Sequence, residues 1–310
     1  MSRIIFSVII TSCNQIGFIA DAIDSVLSAR DERVEIIVAD DGSTDGSQDL
    51  LRRYGSSIRL VCLEVNRGVC VARNCAAALA VGHYLVFLDG DDALMPWALD
   101  AYKRIVEVKK PVIILARMEW FRGSLHFPCP GDRPQTINCV EYQQYLSKDR
   151  PFWNSASALV VHRDAFQSVR GWPEELFPME DQDLAIRLGG LGRTVQVLSP
   201  PTILHRAHSG NTVNCVPPFL AALRQMLLRE RLGQYPGGPS HRFERYGVIG
   251  GIIFFWAHRA VRAGLFREAF SLFASGWLML LAAAFRRFLV ILTGRSPSEA
   301  IPLPDPTVGG

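Results

Sequence analysis

Three carboxylates within four residues, Asp89, Asp91 and Asp92, follow directly on the apolar run Tyr84-Leu85-Val86-Phe87-Leu88. Acids this close repel one another, and grouped side-chain oxygens are hard ligands of the kind Mg²⁺ and Mn²⁺ take. The competing reading is a solvated acidic turn. Gly90, between the first two acids, permits a tight turn and a close approach to the backbone. The preceding run has the length and composition of a strand buried on both faces. The acids then fall at its carboxyl end, where open α/β sheets hold their ligands.

The elements that must position this cluster are legible upstream. Residues 4–11 read as a first strand and 12–15 as a polar loop. Ile19, Ala22, Ile23, Val26 and Leu27 have helical spacing over 19–29. A second strand over 34–39 ends in Asp40-Asp41-Gly42-Ser43-Thr44-Asp45, whose hydroxyls and last carboxylate suit the cap of a helix through 50–54. Residues 58–63 are a third strand, Asn66-Arg67-Gly68 a loop, and 69–80 an Ala-rich helix carrying Arg73 and Asn74. Strand–helix alternation with short loops predicts a Rossmann-like α/β fold on a mostly parallel sheet. Three polar loops, 11–14, 40–41 and 89–92, then meet at one sheet edge. A nucleotide base or ribose suits Asp40, and a diphosphate suits a cation at Asp91 with Arg73 neutralising it. The alternatives are that Asp40 and Asp41 cap the next helix and that Arg73 is a solvated helix residue.

Composition narrows the class. The chain has 310 residues, 49% of them hydrophobic, with a net charge of +3. That length allows one large domain with an appendage and an ample core. So small a charge, with no Lys/Arg run or basic–aromatic motif, argues against nucleic acid as a partner. Seven cysteines are scattered without a C-x-x-C pair, which disfavours a disulfide framework or a zinc site and suits a reducing cytoplasm. The apolar residues 4–10 read as a buried strand rather than a signal peptide.

The segments SVIITSCN, EIIVADDGSTDGS, NRGVCVARNCAAALAVGHYLVFLDGDD and GWPEELFPMEDQDLAIRLGGLG, in that order, resemble glycosyltransferase family 2, with its GT-A fold. The resemblance spans roughly residues 4–215. It implies inverting transfer from a nucleoside-diphosphate sugar, most often a UDP-sugar, with Mn²⁺ or Mg²⁺. Position by position it implies that Thr11, with Asn14 in its loop, contacts the nucleotide, that Asp40, beside Asp41, contacts the base, and that Arg73 lies near the diphosphate. Asp89 and Asp91, flanking Gly90, match the D-x-D pair, with Asp91 the direct metal ligand. Asp181 matches the base that activates the acceptor. His205-Arg206-Ala207-His208 resembles a late R-x-H segment, which places His208 at the cation or diphosphate. Cys13 departs from the Tyr common at that position.

The chemistry agrees with these roles. A departing nucleoside diphosphate needs its growing charge balanced, and an acceptor hydroxyl needs a carboxylate to take its proton. Around Asp181, Glu180-Asp181-Gln182-Asp183 opens a helix that Gly189, Gly190 and Gly192 end. Acids in a first turn also suit the helix dipole. Trp153, Asn154 and Glu180 are candidates for an acceptor pocket, with a core wall as the alternative for the first two.

Beyond Cys215 the character changes. A Leu- and Arg-rich helix over 219–232 precedes a breaker-dense linker, and residues 246–263 and 266–285 read as an α-hairpin. Residues 269–285 carry no charge, and Arg286-Arg287 follow. The alternatives are a packing helix, an element lying on the inner face of a membrane, and, at the lower edge of the length needed, a span. The Pro-containing tail 296–310 is expected to be disordered. The reading is a GT-A domain over 1–215, helices over 216–295 and a tail. Its function is sugar transfer to a glycan or lipid-linked saccharide in surface polysaccharide or glycolipid assembly. A nucleotidyltransferase is the competing enzyme class, but residues 11–17 hold no Lys or Arg for a triphosphate. A non-catalytic nucleotide-sugar-binding module is the other.

Overall fold

The computed structural model describes residues 4–128, 132–152 and 155–304. In chain order the elements begin β1 Phe6–Ser12, α1 Ile19–Ala29, β2 Val34–Asp40, α2 Ser47–Arg52, β3 Arg59–Cys62, α3 Val69–Leu79, β4 Tyr84–Asp89, β5 Ala93–Leu94, α4 Ala98–Lys109, β6 Ile113–Leu115 and β7 Met118–Phe121. They continue β8 Thr136–Tyr142, β9 Leu159–His162, α5 Arg163–Ser168, α6 Glu180–Leu188, β10 Thr194–Ser199, β11 Ile203–Arg206, α7 Val216–Arg231, α8 Arg242–Arg262, α9 Phe266–Thr293 and β12 Glu299–Pro302.

Nine strands form one sheet in the order β12-β8-β10-β6-β9-β4-β1-β2-β3. The four strands β3, β2, β1 and β4 are parallel to one another, as the strand–helix alternation predicts. β9 then inserts antiparallel between β4 and β6, so the sheet as a whole is mixed. Chain order reverses direction between β1 and β4, which is where an open α/β sheet leaves a crevice beyond its strand ends. Thr11 stands opposite Asp89 in that pair, and Ser12 opposite Asp40 in the next. The register therefore delivers the three polar loops to one edge.

Alternation along β1 and β4 feeds two core layers. Ile9, Leu85 and Phe87 face a cluster shared with α3 and α6, whereas Val8, Ile10, Val86 and Leu88 face one shared with α1 and α4. Each such side chain contributes about 1.5–3 kcal/mol by burial. The C-terminal helices are continuous with the first layer: Phe219, Trp256 and Met279 belong to the same cluster as Ile9 and Phe87. Gly250 and Gly276 allow close contact of α8 with α9. A Cβ on Gly250 would meet Met279 O at 1.9 Å, and one on Gly276 would meet Ile253 Cδ1 at 2.3 Å.

Two expectations change here. Residues 299–302, placed in a disordered tail, form β12, an antiparallel edge strand with Glu299 opposite Cys139 and Pro302 opposite Thr136. An edge strand needs hydrogen bonds on one side alone and so tolerates Pro302; Ile301 is buried beneath it. No side chain caps α2 at its N-cap, Gly46, but Asp45 accepts hydrogen bonds from the Ser47 amide and hydroxyl one residue further in.

Candidate active site

A cavity of about 1440 Å³ opens beyond the carboxyl ends of β1 and β4. Its walls hold Thr11, Asp41, Arg73, Asp89, Asp91 and Asp181. That volume exceeds what one drug-sized ligand needs.

The acidic loop is built from inside out. Gly90 donates its N–H to Thr11 O, and Asp92 donates its own to Asp89 O. A Cβ on Gly90 would lie 2.4 Å from Gln15 Oε1 and 2.7 Å from Thr11 O. The close approach that this glycine permits is therefore to the protein's own first loop. Asp92 turns inward, fully buried. It accepts from Ser157 Oγ at 2.6 Å and from the Arg206 N–H at 3.1 Å, and it contacts His205 Nδ1. Burial alone would lower the His205 pKa, but the hydrogen bond to Asp92 and the charge of Asp92 raise it overall. Arg206 ties the knot: it donates to Asp91 O, Gly123 O and Asp21 while its guanidinium sits over Phe18 and Phe121.

Asp91 faces the cavity, 2.8 Å from His208 Nε2. Burial, with Asp92 and Asp89 beside it, pushes its pKa up to about 6 although the His208 contact pulls it down. His208 Nδ1 accepts the Gly210 N–H, so Nε2 carries the ring proton toward Asp91. Among the described residues no three His, Cys, Asp or Glu side chains converge on one point as a ready-made cation site. The carboxylate nevertheless suits a divalent ion. Asp91 is an undercompensated carboxylate, and His208 would offer Nε2 only in the other tautomer, which gives up the Gly210 N–H contact at Nδ1. Mg²⁺ in particular is commonly held by one or two side chains, with substrate phosphates completing its shell.

Arg73 spans the floor. One guanidinium nitrogen lies 2.6 Å from Asp89 Oδ1 and another 2.9 Å from Glu180 Oε1, and the group stacks over Trp172. The sequence placed Arg73 at the diphosphate; buried and doubly paired, its charge is already engaged, and its work is to fix β4 against α6. Glu180, a candidate for the acceptor pocket, is correspondingly held by Arg73, with Oε2 buried and unpartnered. Burial raises its pKa against the pull of Arg73. Asp181 lies beside it on the cavity wall, its Oδ1 accepting the Gln182 N–H at 2.6 Å. Burial, and then Glu180, push the Asp181 carboxyl up to about 8.

The nucleotide-side residues divide. Asp41 lies on the wall and accepts the N–H groups of Arg67 and Gly68. Asp40, expected at the base, is fully buried, and its oxygens take the Ser43 amide and hydroxyl and Gln48 Nε2. It shapes the loop and leaves the wall to Asp41. Asn14 works likewise: at φ 53° its side-chain oxygen accepts the Thr44 N–H and its own backbone N–H donates to Ser43 Oγ, tying the first loop to the second. Trp153 and Asn154 lie outside the described residues. Sequence reasoning missed Ser157 and named Asn74 without a role. Asn74 exchanges hydrogen bonds with the Trp172 backbone, and Gly171, at φ +68°, leaves the room this needs. The adjacency of Asn74 to Arg73 in α3 was the signal available.

Residues 7–167 match the model of Glycosyl transferase family 2, and the chain belongs to that family. It is similar to the putative teichuronic acid biosynthesis glycosyltransferase TuaG of Bacillus subtilis, at 41% identity over 33% of this chain and 40% of that one. It is also similar to an Escherichia coli protein, the UDP-Glc:alpha-D-GlcNAc-diphosphoundecaprenol beta-1,3-glucosyltransferase WfaP, at 35% identity over 34% and 42% of the two chains. The matched stretch thus spans about two fifths of these relatives. The fold is that of S. aureus TarS residues 1–349, solved in complex with UDP-GlcNAc: the TM-score is 0.61 over 94% of this chain and 93% of that one, at 17% identity. The GT-A-like architecture follows, a central sheet with a C-terminal helical region.

Proposed function

We propose that this protein transfers a sugar, with inversion, from a UDP-sugar or another nucleoside-diphosphate sugar to a hydroxyl of a glycan or lipid-linked saccharide in surface polysaccharide assembly. The observation that carries the reading is the meeting, in one cavity, of Asp91 with His208 at the strand ends and Asp181 on a separate helix. Donor and acceptor chemistry each have a carboxylate of their own there. The UDP-GlcNAc bound to TarS, and the UDP-glucose and diphospholipid in the name of WfaP, support the donor and acceptor classes.

In this reading the base and ribose lie against Asp41, Thr11 and the loop that Asn66 closes over Cys13. Asp91 and His208 hold Mn²⁺ or Mg²⁺, which when bound balances the charge of the departing diphosphate. Arg73 keeps β4 and α6 at a fixed spacing, which holds the two substrates in line. Asp181 accepts the proton of the acceptor hydroxyl as its oxygen bonds to the anomeric carbon. The carbon–oxygen bond to the diphosphate breaks from the opposite face, and the bonding pair leaves with the diphosphate. A raised carboxyl pKa makes Asp181 a stronger base than an ordinary aspartate once it is ionised.

Calorimetry of UDP binding, with Mn²⁺ and then with EDTA, tests the donor site. Affinity is expected only with the metal; equal affinity in both would remove the metal from the reading, and no binding of any nucleotide would remove the donor. Peripheral contact with the cytoplasmic face of a membrane belongs to the same proposal and rests on α9.

A further inference from the structure

The helix that carries Asp181 is held from its far side as well. Residues two apart on a helix point to nearly opposite sides. Asp181 lines the cavity, and Asp183 turns into the core, fully buried. Three donors share its carboxylate. Arg187, one turn further along α6, lies 2.5 Å from Oδ2. Arg229 of α7 lies 3.0 Å from Oδ1, and the Tyr235 hydroxyl donates to the same oxygen at 2.8 Å. Burial, and then the charge of Asp183, push the Tyr235 pKa far up, so the hydroxyl keeps its proton and stays a donor.

Tyr235 stands in the linker between α7 and α8, and that linker is itself fixed. Arg245 of α8 is buried and donates to both oxygens of Glu230, at 2.7 and 2.9 Å. Its remaining nitrogen donates to the carbonyls of Pro236 and Gly238, at 2.9 and 3.0 Å. Glu230 follows Arg229 in the chain, and Pro236 follows Tyr235. Arg245 thus grips the residue next to each of the two groups that reach Asp183 from outside α6. An ion pair buried this deeply is weak evidence for stability, because desolvation offsets its attraction; its best-attested use is to specify one arrangement.

The arrangement so specified is that of the first turn of α6. On its cavity side the turn is held by the Arg73–Glu180 pair, on its core side by Asp183 with Arg229 and Tyr235. Among the described residues Asp181, between the two anchors, has the Gln182 N–H as its own hydrogen-bond donor, and that donor belongs to the same turn. The direction of its carboxyl therefore follows the turn beneath it.

We propose that Tyr235 is a positioning residue for Asp181. With Arg229 it fixes the first turn of α6 from the C-terminal helices, and through that turn it sets the direction of the carboxyl that takes the acceptor proton. The helices beyond Cys215 are then part of the catalytic unit. The proposal rests on the reading of Asp181 as the base.

Tyr235→Phe in the full-length protein tests it, because it removes one hydroxyl and leaves Asp183 with both arginines. The probe is UDP release from UDP-glucose and from UDP-GlcNAc with water as the acceptor, in single turnovers with enzyme in excess. Release should slow by about tenfold, within what a displaced catalytic group costs, while metal-dependent UDP affinity stays within about twofold. In an Asp181→Asn background the same substitution should change release by less than about twofold, since a residue that acts through another has no effect once that other is gone. Hydrogen exchange, which needs no substrate, should be about tenfold faster in the first turn of α6 and unchanged in β1 and β4. An equal loss with and without Asp181, or unchanged exchange in α6, overturns the proposal. Asp181→Asn releasing UDP as fast as the wild type would instead overturn the choice of base, and a wild type that releases no UDP would overturn the donor reading. Exchange in α6 then judges the clamp by itself.

Discussion

Asp91 and Asp181 are both acids on the cavity wall, and their surroundings give them different work. Asp91 touches His208, whereas Asp181 bonds to the Gln182 N–H and stands beside the buried Glu180. Asp181→Asn keeps shape and loses the proton acceptor. Transfer should fall by about 10²–10⁴-fold while UDP affinity stays within about threefold, read from rates and isotherms. Normal turnover would move the base to Glu180, the other acid of that turn on the cavity wall, since Asp183 is fully buried with its oxygens taken by Arg187, Arg229 and Tyr235. The raised pKa adds a pH dependence whose sign is fixed. An Asp with a folded pKa of about 8 keeps its proton in the native state at pH values where the unfolded chain releases it. Stability therefore falls as pH rises from the ordinary aspartate range toward 8, and Asp181→Asn should melt higher than wild type at pH 8 in EDTA. For kcat/KM, activity should rise with pH along a limb centred well above 4, and the variant should lack it. A melting temperature unchanged by the substitution at pH 8 would show that Asp181 is not strained by its charge. At this scale Asp89 and Asp91 were legible as neighbours at the end of one strand, whereas Asp181, from a distant segment, was placed beside them by the resemblance to the family. Sequence reasoning chose Asp40 over Asp41 for the base, and the structure puts Asp41 on the wall instead, since side chains alternate along the strand end and the direction of each depends on the loop it meets.

The elements meet through Arg73. It leaves α3, pairs with Asp89 at the end of β4 and Glu180 at the start of α6, and stacks on Trp172. Breaking a buried pair while its carboxylates stay behind costs about 3–5 kcal/mol. Arg73→Met, which keeps length and removes charge, should lower the urea unfolding free energy by about that much. A loss under about 1 kcal/mol would mean that the guanidinium is free for a substrate anion. Gly171→Ala tests the adjoining contact. Its φ of +68° and a Cβ only 2.6 Å from Asn74 Oδ1 should cost about 1–3 kcal/mol in the same measurement. The long apolar strands and the α8–α9 hairpin were legible as elements because periodicity and length are local signals. β5, β7 and β11 were not, since strands of two to four residues carry no period. β12 was hidden for a different reason: its partner β8 lies far back in the chain, and two prolines beside it read as a tail. The same distance hid Arg206, whose bond to Asp21 joins residues 185 apart in sequence.

At the scale of the molecule one face is unlike the rest. α9 is long and apolar enough to cross a membrane by length and composition, yet only 17% of its most apolar window is buried. Its inner side, with Ala269, Leu272, Gly276 and Met279, packs against α8 and α7, so the helix is docked along the protein rather than standing clear of it. Its outer side leaves Phe270 74% and Ile291 79% exposed, with Trp277, Leu281 and Phe288 between them. Arg287 lies over Phe254 of α8 at the same surface. On the proposed membrane contact this stripe, bordered by basic residues, would lie in the plane of a bilayer interface, where anionic headgroups add about 1 kcal/mol per Lys or Arg near the surface. Sedimentation with phosphatidylglycerol vesicles should therefore carry the protein down, more weakly at high salt. Phe270→Asp with Trp277→Asp should reduce the bound fraction by about tenfold or more, since a charge at each anchor opposes burial. Because both side chains point away from the core, the pair should melt within a few degrees of wild type, which separates loss of the surface from loss of the fold. Full retention of the wild type in the supernatant would leave α9 as a packing helix. The acceptor would then have to reach Asp181 from solution.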